Sequence, residues 1–144
     1  MDRYIEFVLN HWMLFIGLVV VTILLIQEMF DSAFRKFATI SPVLAVTQMN
    51  SEDTVIVDVR EEHEFNKGHI ENAINAPFGK FDENVIKLEA YKKSPVIVVC
   101  QTGTRSLPAS KKLCKLGFEK VFNLTGGMQA WEDSKLPIKV KKKK

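Results

Sequence analysis

Cysteine is scarce in this chain: Cys100 and Cys114 are the only two among 144 residues. That excludes the spaced disulfide framework of a small secreted domain and agrees with a reducing compartment in which both thiols stay free. The three histidines, His11, His63 and His69, show no ligand spacing, so nothing in the pattern calls for a metal. Internal repeats and long Pro- or Gly-rich linkers are absent too, which leaves room for one compact domain.

Charge is missing from one place in particular. Between Glu6 and Glu28 there is no Asp, Glu, Lys or Arg, and MLFIGLVVVTILLI (13 to 26) is broken only by Gly17 and Thr22. An amphipathic helix would show polar residues every three or four positions, so this is not the face of a soluble bundle. A bilayer core of about 30 Å needs roughly 20 helical residues. Residues 7 to 27 supply them if Asn10 and His11 lie at the interface, with Trp12 and Phe30 near the two edges. A cleaved signal peptide is the rival reading, but Arg3 is flanked by Asp2 and Glu6 and no A-x-A site follows. The expectation is an uncleaved transmembrane anchor over 1–30, then a juxtamembrane connector over 31–40. Arg35 and Lys36 after the segment, against Arg3 before it, favour a single-pass inner-membrane protein with its C-terminal domain in the cytoplasm.

The pI of 8.8 invites a nucleic-acid reading. Acidic and basic residues nearly balance over 41–138, however, and the excess comes from the terminal KVKKKK, the basic tail over 139–144. No basic stripe with interleaved aromatics exists, so nucleic acid is not an expected partner. The tail is either solvated or in contact with anionic lipid headgroups.

The domain expected over 41–138 reads as α/β. Ser41-Pro42 pairs an N-cap with an N1 proline and starts a helix through VLAVTQM. TVIVDV (54 to 59) and PVIVVC (95 to 100) have the unbroken β-branched character of strands buried on both faces. Helices are expected in EEHEFN, DENVIKLEAYKK and SLPASKKLCKLG, the last closed by Gly117. A further strand, KVFNL, precedes a helix opened by Gly126 and Gly127. Alternating strands and helices imply a central parallel sheet covered on both sides, with the site at the carboxyl ends of the strands. Asp58 and Cys100 both stand at such ends.

VIVVCQTGTRS (96 to 106) then reads as a strand running through a tight loop into a helix start. Its free backbone N–H groups converge at the positive end of a helix dipole, a setting that lowers a thiol pKa. Gly103 supplies unusual dihedrals, Thr102 and Thr104 offer hydroxyls, and Arg105 adds a planar cation. Two chemistries use such a loop. Cysteine-dependent phosphatases and some arsenate-handling enzymes place five residues between Cys and Arg, whereas only Gln101, Thr102, Gly103 and Thr104 intervene here. The shorter ring suits one transferred sulfur on Cys100 better than a phosphoryl group.

Three stretches in this order, VDVREEHEFNKGHIENAINAP (57 to 77), CQTGTRS (100 to 106) and NLTGGMQAW (123 to 131), resemble the rhodanese-like domains, the single-domain sulfurtransferases. With an N-terminal anchor the layout is similar to a membrane-anchored bacterial YibN-like group. The resemblance implies a rhodanese-like three-layer fold and a sulfane-sulfur transfer in which Cys100 is the catalytic nucleophile. Thiosulfate or a small or protein-borne persulfide would be the donor, and a thiol or cyanide the acceptor, with no cofactor. Gln101, Thr102, Gly103, Thr104, Arg105 and Ser106 would form the substrate cradle. Asp58 and Arg60, matching a D-x-R pair, would orient the loop or form a structural ion pair. Glu64 and His69 match family positions read as scaffold, Trp131 reads as core, and Cys114 as a small core residue or a resolving thiol. A non-catalytic interaction module built on the same fold is the alternative. Two departures stand out: Glu71-Asn72-Ala73 replaces Pro-Gly-Ala after GHI, and Ser134-Lys135 stands where a glycine is usual.

Overall fold

The computed structural model describes residues 7, 11–33 and 37–140. The chain divides into two units, Met1–Arg35 and Lys36–Lys144, which are described separately.

In the first unit, helix α1 (Trp12–Ala33) carries its apolar residues all round: Leu14, Leu18 and Leu25 are each more than half exposed. The mid-helix hydroxyl of Thr22 is absorbed locally, donating to the Leu18 carbonyl at 2.8 Å. Among the described residues no helix is long and apolar enough to cross a membrane. The uncharged part of α1 runs from Trp12 to Gln27, about 24 Å at 1.5 Å per residue, which is short of a bilayer core of about 30 Å. The spanning helix expected from 7–27 is therefore not met as such. Residues 8–10, which were counted towards it, lie outside the described residues, as do Asp2, Arg3, Glu6, Arg35, Lys36 and the lysines of 141–144.

The second unit is built on a five-stranded, all-parallel sheet in the order β1-β5-β4-β2-β3. Its strands are β1 (Ala38–Ile40), β2 (Val55–Asp58), β3 (Ile74–Asn75), β4 (Pro95–Val99) and β5 (Lys120–Leu124). The helices are α2 (Pro42–Ser51), α3 (Glu62–Lys67), α4 (Phe81–Val85), α5 (Ser106–Lys115) and α6 (Gly127–Asp133). Every residue of central β4 is buried, as its PVIVV sequence requires. Alternate side chains go to opposite layers. Val57, Val96, Val98 and Cys100 join Phe81, Leu88 and Leu113 on one face, while Ile56, Ile97 and Val99 join Ala45, Met128 and Trp131 on the other. Each such large side chain contributes about 1.5–3 kcal/mol by leaving water.

Local signals act as their chemistry dictates. Ser41 caps α2 by accepting from the Leu44 N–H, with Pro42 opening the helix. Asn72 takes a left-handed φ of 61°, the conformation that Gly would have supplied in the GHI turn. Lys135 does the same after α6 at φ 54° without the tolerance of Gly or Asn.

Three expectations change. Residues 38–40, read as connector, form edge strand β1, pairing Ala38 with Phe122 and Ile40 with Leu124. DENVIKLEAYKK does not form one α-helix: after Val85 the chain tightens into a 3₁₀ turn over Ile86–Tyr91. Leu88 is buried there while Ile86 is 69% exposed, so the segment has too little apolar face to hold a regular helix. The tail expected from 139 begins later, because Lys139 exchanges both backbone hydrogen bonds with His69, at 3.0 and 2.8 Å.

Candidate active site

The parallel order brings the ends of β2 and β4 side by side, with Asp58 in register with Val99. Cys100 follows immediately and is 1% exposed. The loop after it folds back on the sulfur, so that the Gly103 N–H donates to Cys100 Sγ at 3.0 Å. Gly103 has φ 101°, a conformation that residues with a side chain adopt only at a cost. The Ser106 hydroxyl lies 3.4 Å from Sγ and donates to the Gly103 carbonyl at 3.0 Å. Burial pushes the Cys100 thiol up, but the N–H groups of Ser106, Gly103 and Thr102, together with the Ser106 hydroxyl once it turns from the Gly103 carbonyl to an ionised sulfur, outweigh it and hold the thiol below its ordinary pKa.

Two supports hold the loop from outside. On one side, α6 delivers its unsatisfied N-terminal donors: Met128 N–H to the Cys100 carbonyl at 2.8 Å and Gln129 N–H to the Gln101 carbonyl at 3.0 Å. That contact requires glycine at 127, where an added Cβ would stand 2.3 Å from the Cys100 carbonyl oxygen. On the other side, Asp58 and Arg60 are 0% and 3% exposed and joined by a fork of contacts down to 2.7 Å. Arg60 also donates to the Gly68 carbonyl (2.7 Å) and to Gln101 Oε1 (3.2 Å). Asn75 ties down the carbonyls of Asp58 and Arg60. The pair read as either structural or loop-orienting is thus both: its buried charges satisfy one another, and its outward arm grips the first loop residue.

The cradle residues separate into different jobs. Gln101 accepts from Arg60 through its side-chain oxygen. Thr102 and Thr104 bond to one another at 2.9 Å on the exposed rim. Arg105 is not a free cation: its two terminal nitrogens donate to the two oxygens of Glu64, at 2.8 and 2.9 Å. The Arg105 hydrogen bond drops the Glu64 carboxyl to about 2, against the opposing effect of burial. Glu64 also accepts from the Glu61 N–H, closing a capping box on α3. Sequence reasoning placed Glu64 in the scaffold. Its pairing with Arg105 joins residues 41 positions apart, and no local pattern marks it.

Remaining candidates lie where their residue types suggest. His69 stacks on Phe65 at 3.8 Å and its Nδ1 lies 2.9 Å from the Phe65 carbonyl, a scaffold role. Trp131 is buried and donates to the Pro137 carbonyl. Cys114 packs half-buried against the core layer that contains Cys100. Beside the loop lies a cleft of about 410 Å³ bordered by Arg60, Glu64, Lys67, Gln101 and Glu132. Among the described residues no cluster of His, Cys, Asp and Glu is arranged to hold a metal ion.

Residues 41–134 match the Rhodanese-like domain family. The chain is 34% identical over 139 residues to the uncharacterized protein YibN of Escherichia coli, covering 96% of this chain and 97% of that protein. It is 35% identical over 108 residues to the thiosulfate sulfurtransferase GlpE of Glaesserella parasuis, covering 72% of this chain and 94% of the relative. Its fold superposes on the polysulfide-sulfur transferase of Wolinella succinogenes with a TM-score of 0.65 and 27% identity, over 80% of this chain and 87% of that one. The loop, the sheet that presents it and these likenesses lead to one conclusion: the chain belongs to the rhodanese-like domain family.

Proposed function

We propose that this protein is a sulfurtransferase that carries sulfane sulfur on Cys100. The observation that supports the reading best is the Gly103 N–H aimed at Cys100 Sγ from 3.0 Å, inside a loop whose hydrogen bonds lower the pKa of that thiol. In the first displacement the thiolate attacks the outer sulfur of the donor. Thiosulfate would leave as sulfite, while an organic persulfide R–S–SH would leave as R–S⁻; either way Cys100 becomes a persulfide. The loop N–H groups replace the water that a charged sulfur would otherwise need. In the second displacement a thiolate or cyanide attacks the outer sulfur and regenerates the Cys100 thiolate. Two displacements through one covalent intermediate give ping-pong kinetics. The names of the GlpE and polysulfide-sulfur transferase relatives favour this substrate class over phosphate esters.

The test is to incubate the full chain with thiosulfate or a persulfide, weigh it intact, and follow turnover with cyanide. One added sulfur on the parent and none on Cys100→Ala supports the proposal. No gain on the parent sinks it in favour of a binding module.

Tethering of the domain to the cytoplasmic side of a membrane by α1 is a second part of the reading. It is supported by the uncharged run from Trp12 to Gln27, whose large apolar side chains are exposed. Retention in the membrane pellet through an alkaline wash, lost on deleting residues 1–30, is the expected outcome; a parent chain found in the supernatant contradicts it. A reporter fused after Lys144 that is active only outside the cytoplasm would reverse the orientation.

A further inference from the structure

Arg105 is the one cation of the loop, and an arginine beside a cysteine would ordinarily anchor the sulfonate end of a doubly charged donor. Here both terminal nitrogens are already engaged by Glu64, in the parallel two-bond geometry that is strongest for this pair. With its carboxyl held near 2, Glu64 stays ionised at every pH at which a thiolate can act. The other charges bordering the neighbouring cleft do not restore a positive field. Arg60 is committed to buried Asp58, and exposed Lys67 is balanced by Glu132. Once Cys100 ionises, the mouth of the site carries an excess of negative charge.

We propose that Glu64 sets donor specificity, by occupying Arg105 so that the site disfavours dianionic thiosulfate and selects organic persulfides, whose reacting group carries at most a single negative charge. Glu64 touches neither the sulfur nor the donor; it acts through Arg105. The inference rests on the sulfurtransferase reading but concerns which donor is used, not whether Cys100 takes up sulfur.

Glu64→Gln is the informative change. The amide keeps the size of the side chain and an acceptor for the Glu61 N–H of the capping box, while the charge that neutralises Arg105 is removed. The kinetic test compares parent and Glu64→Gln with thiosulfate and with cysteine persulfide as donors, cyanide being the acceptor. The expected result is a KM for thiosulfate about five- to tenfold lower in Glu64→Gln, kcat within about twofold, and a gain in kcat/KM for the persulfide of less than about twofold. Restoring a net negative mouth through the pair Glu64→Gln with Arg105→Gln should abolish the gain, since the freed guanidinium is its source. A binding measurement keeps the inference testable without turnover: thiosulfate should bind Cys100→Ser carrying Glu64→Gln about five- to tenfold more tightly than Cys100→Ser alone. An unchanged or higher thiosulfate KM together with unchanged thiosulfate binding overturns the inference. If instead both donors lose kcat together, Glu64 only positions the loop and the specificity role is wrong. If the parent takes up no sulfur from either donor, the sulfurtransferase reading fails, and the donor assignment falls with it.

Discussion

Two arginine–carboxylate pairs stand within one loop's width of each other and behave as different materials. Asp58–Arg60 lies behind the loop with side chains 0% and 4% exposed, while Glu64–Arg105 lies on its rim with 23% and 36% exposed. In the buried pair further hydrogen bonds run to Gly68, Gln101 and the Arg60 backbone. Such a pair is weak evidence of net stabilisation, but removing one partner strands the other charge out of water. The rim pair is partly exposed, so its loss costs the fold little and alters mainly the field at the sulfur. Distance from water thus divides one chemistry into a scaffold joint and a selector.

The comparison breaks most visibly on the buried side. Asp58→Ala leaves Arg60 unpaired and should cost about 3–5 kcal/mol in chemical denaturation; a loss below about 1 kcal/mol would show that water reaches Arg60. Gly127→Ala comes next. The new Cβ meets backbone atoms of Cys100 and Gln101 and not a flexible side chain, at a residue with φ 59°. A loss of about 2–4 kcal/mol, with sulfur uptake reduced further than stability alone explains, is expected.

Smaller effects sharpen the other side. Replacing Lys135 by Gly relieves a left-handed backbone and should stabilise the domain by about 0.5–1 kcal/mol, leaving sulfur uptake unchanged. Glu64→Gln should cost under about 1 kcal/mol at neutral pH, since the pair is partly screened by solvent. The Glu64 pKa is depressed in the folded protein, from 4.5 to about 2, so its contribution is present above the unfolded value and disappears as pH falls through that window. Denaturation curves of parent and Glu64→Gln should therefore differ at pH 7 and converge near pH 2; a gap of constant size would place the effect elsewhere.

How far the sequence disclosed this arrangement depended on how local each cause is. A run such as PVIVV is legible because burial on both faces demands apolar residues at every position: β4 begins at Pro95 and ends at Val99, one residue short of the expected strand. β5 matched KVFNL residue for residue. Gly103 and Asn72 were readable because a positive φ is a property of one residue. β1 escaped because three residues at a sheet edge carry no period of their own, and their role comes from pairing with β5. Arg105 was legible as the cation of the loop but not as one already paired, because its partner sits on α3, far away in the chain. Gln101 likewise looked like a cradle side chain until Arg60 was found to hold it. Spacing announces backbone conformation well; it does not announce which charge another charge has taken.

The central claim is that hydrogen bonds in this loop outweigh burial and lower the pKa of Cys100. Its most direct test is the ultraviolet thiolate absorbance of the parent, less that of Cys100→Ala, followed across pH. The account predicts a midpoint below the ordinary cysteine value of about 8.5 and a rise in that midpoint when Ser106 is replaced by Ala. A midpoint at or above about 8.5, unmoved by the loss of the Ser106 hydroxyl, would contradict it.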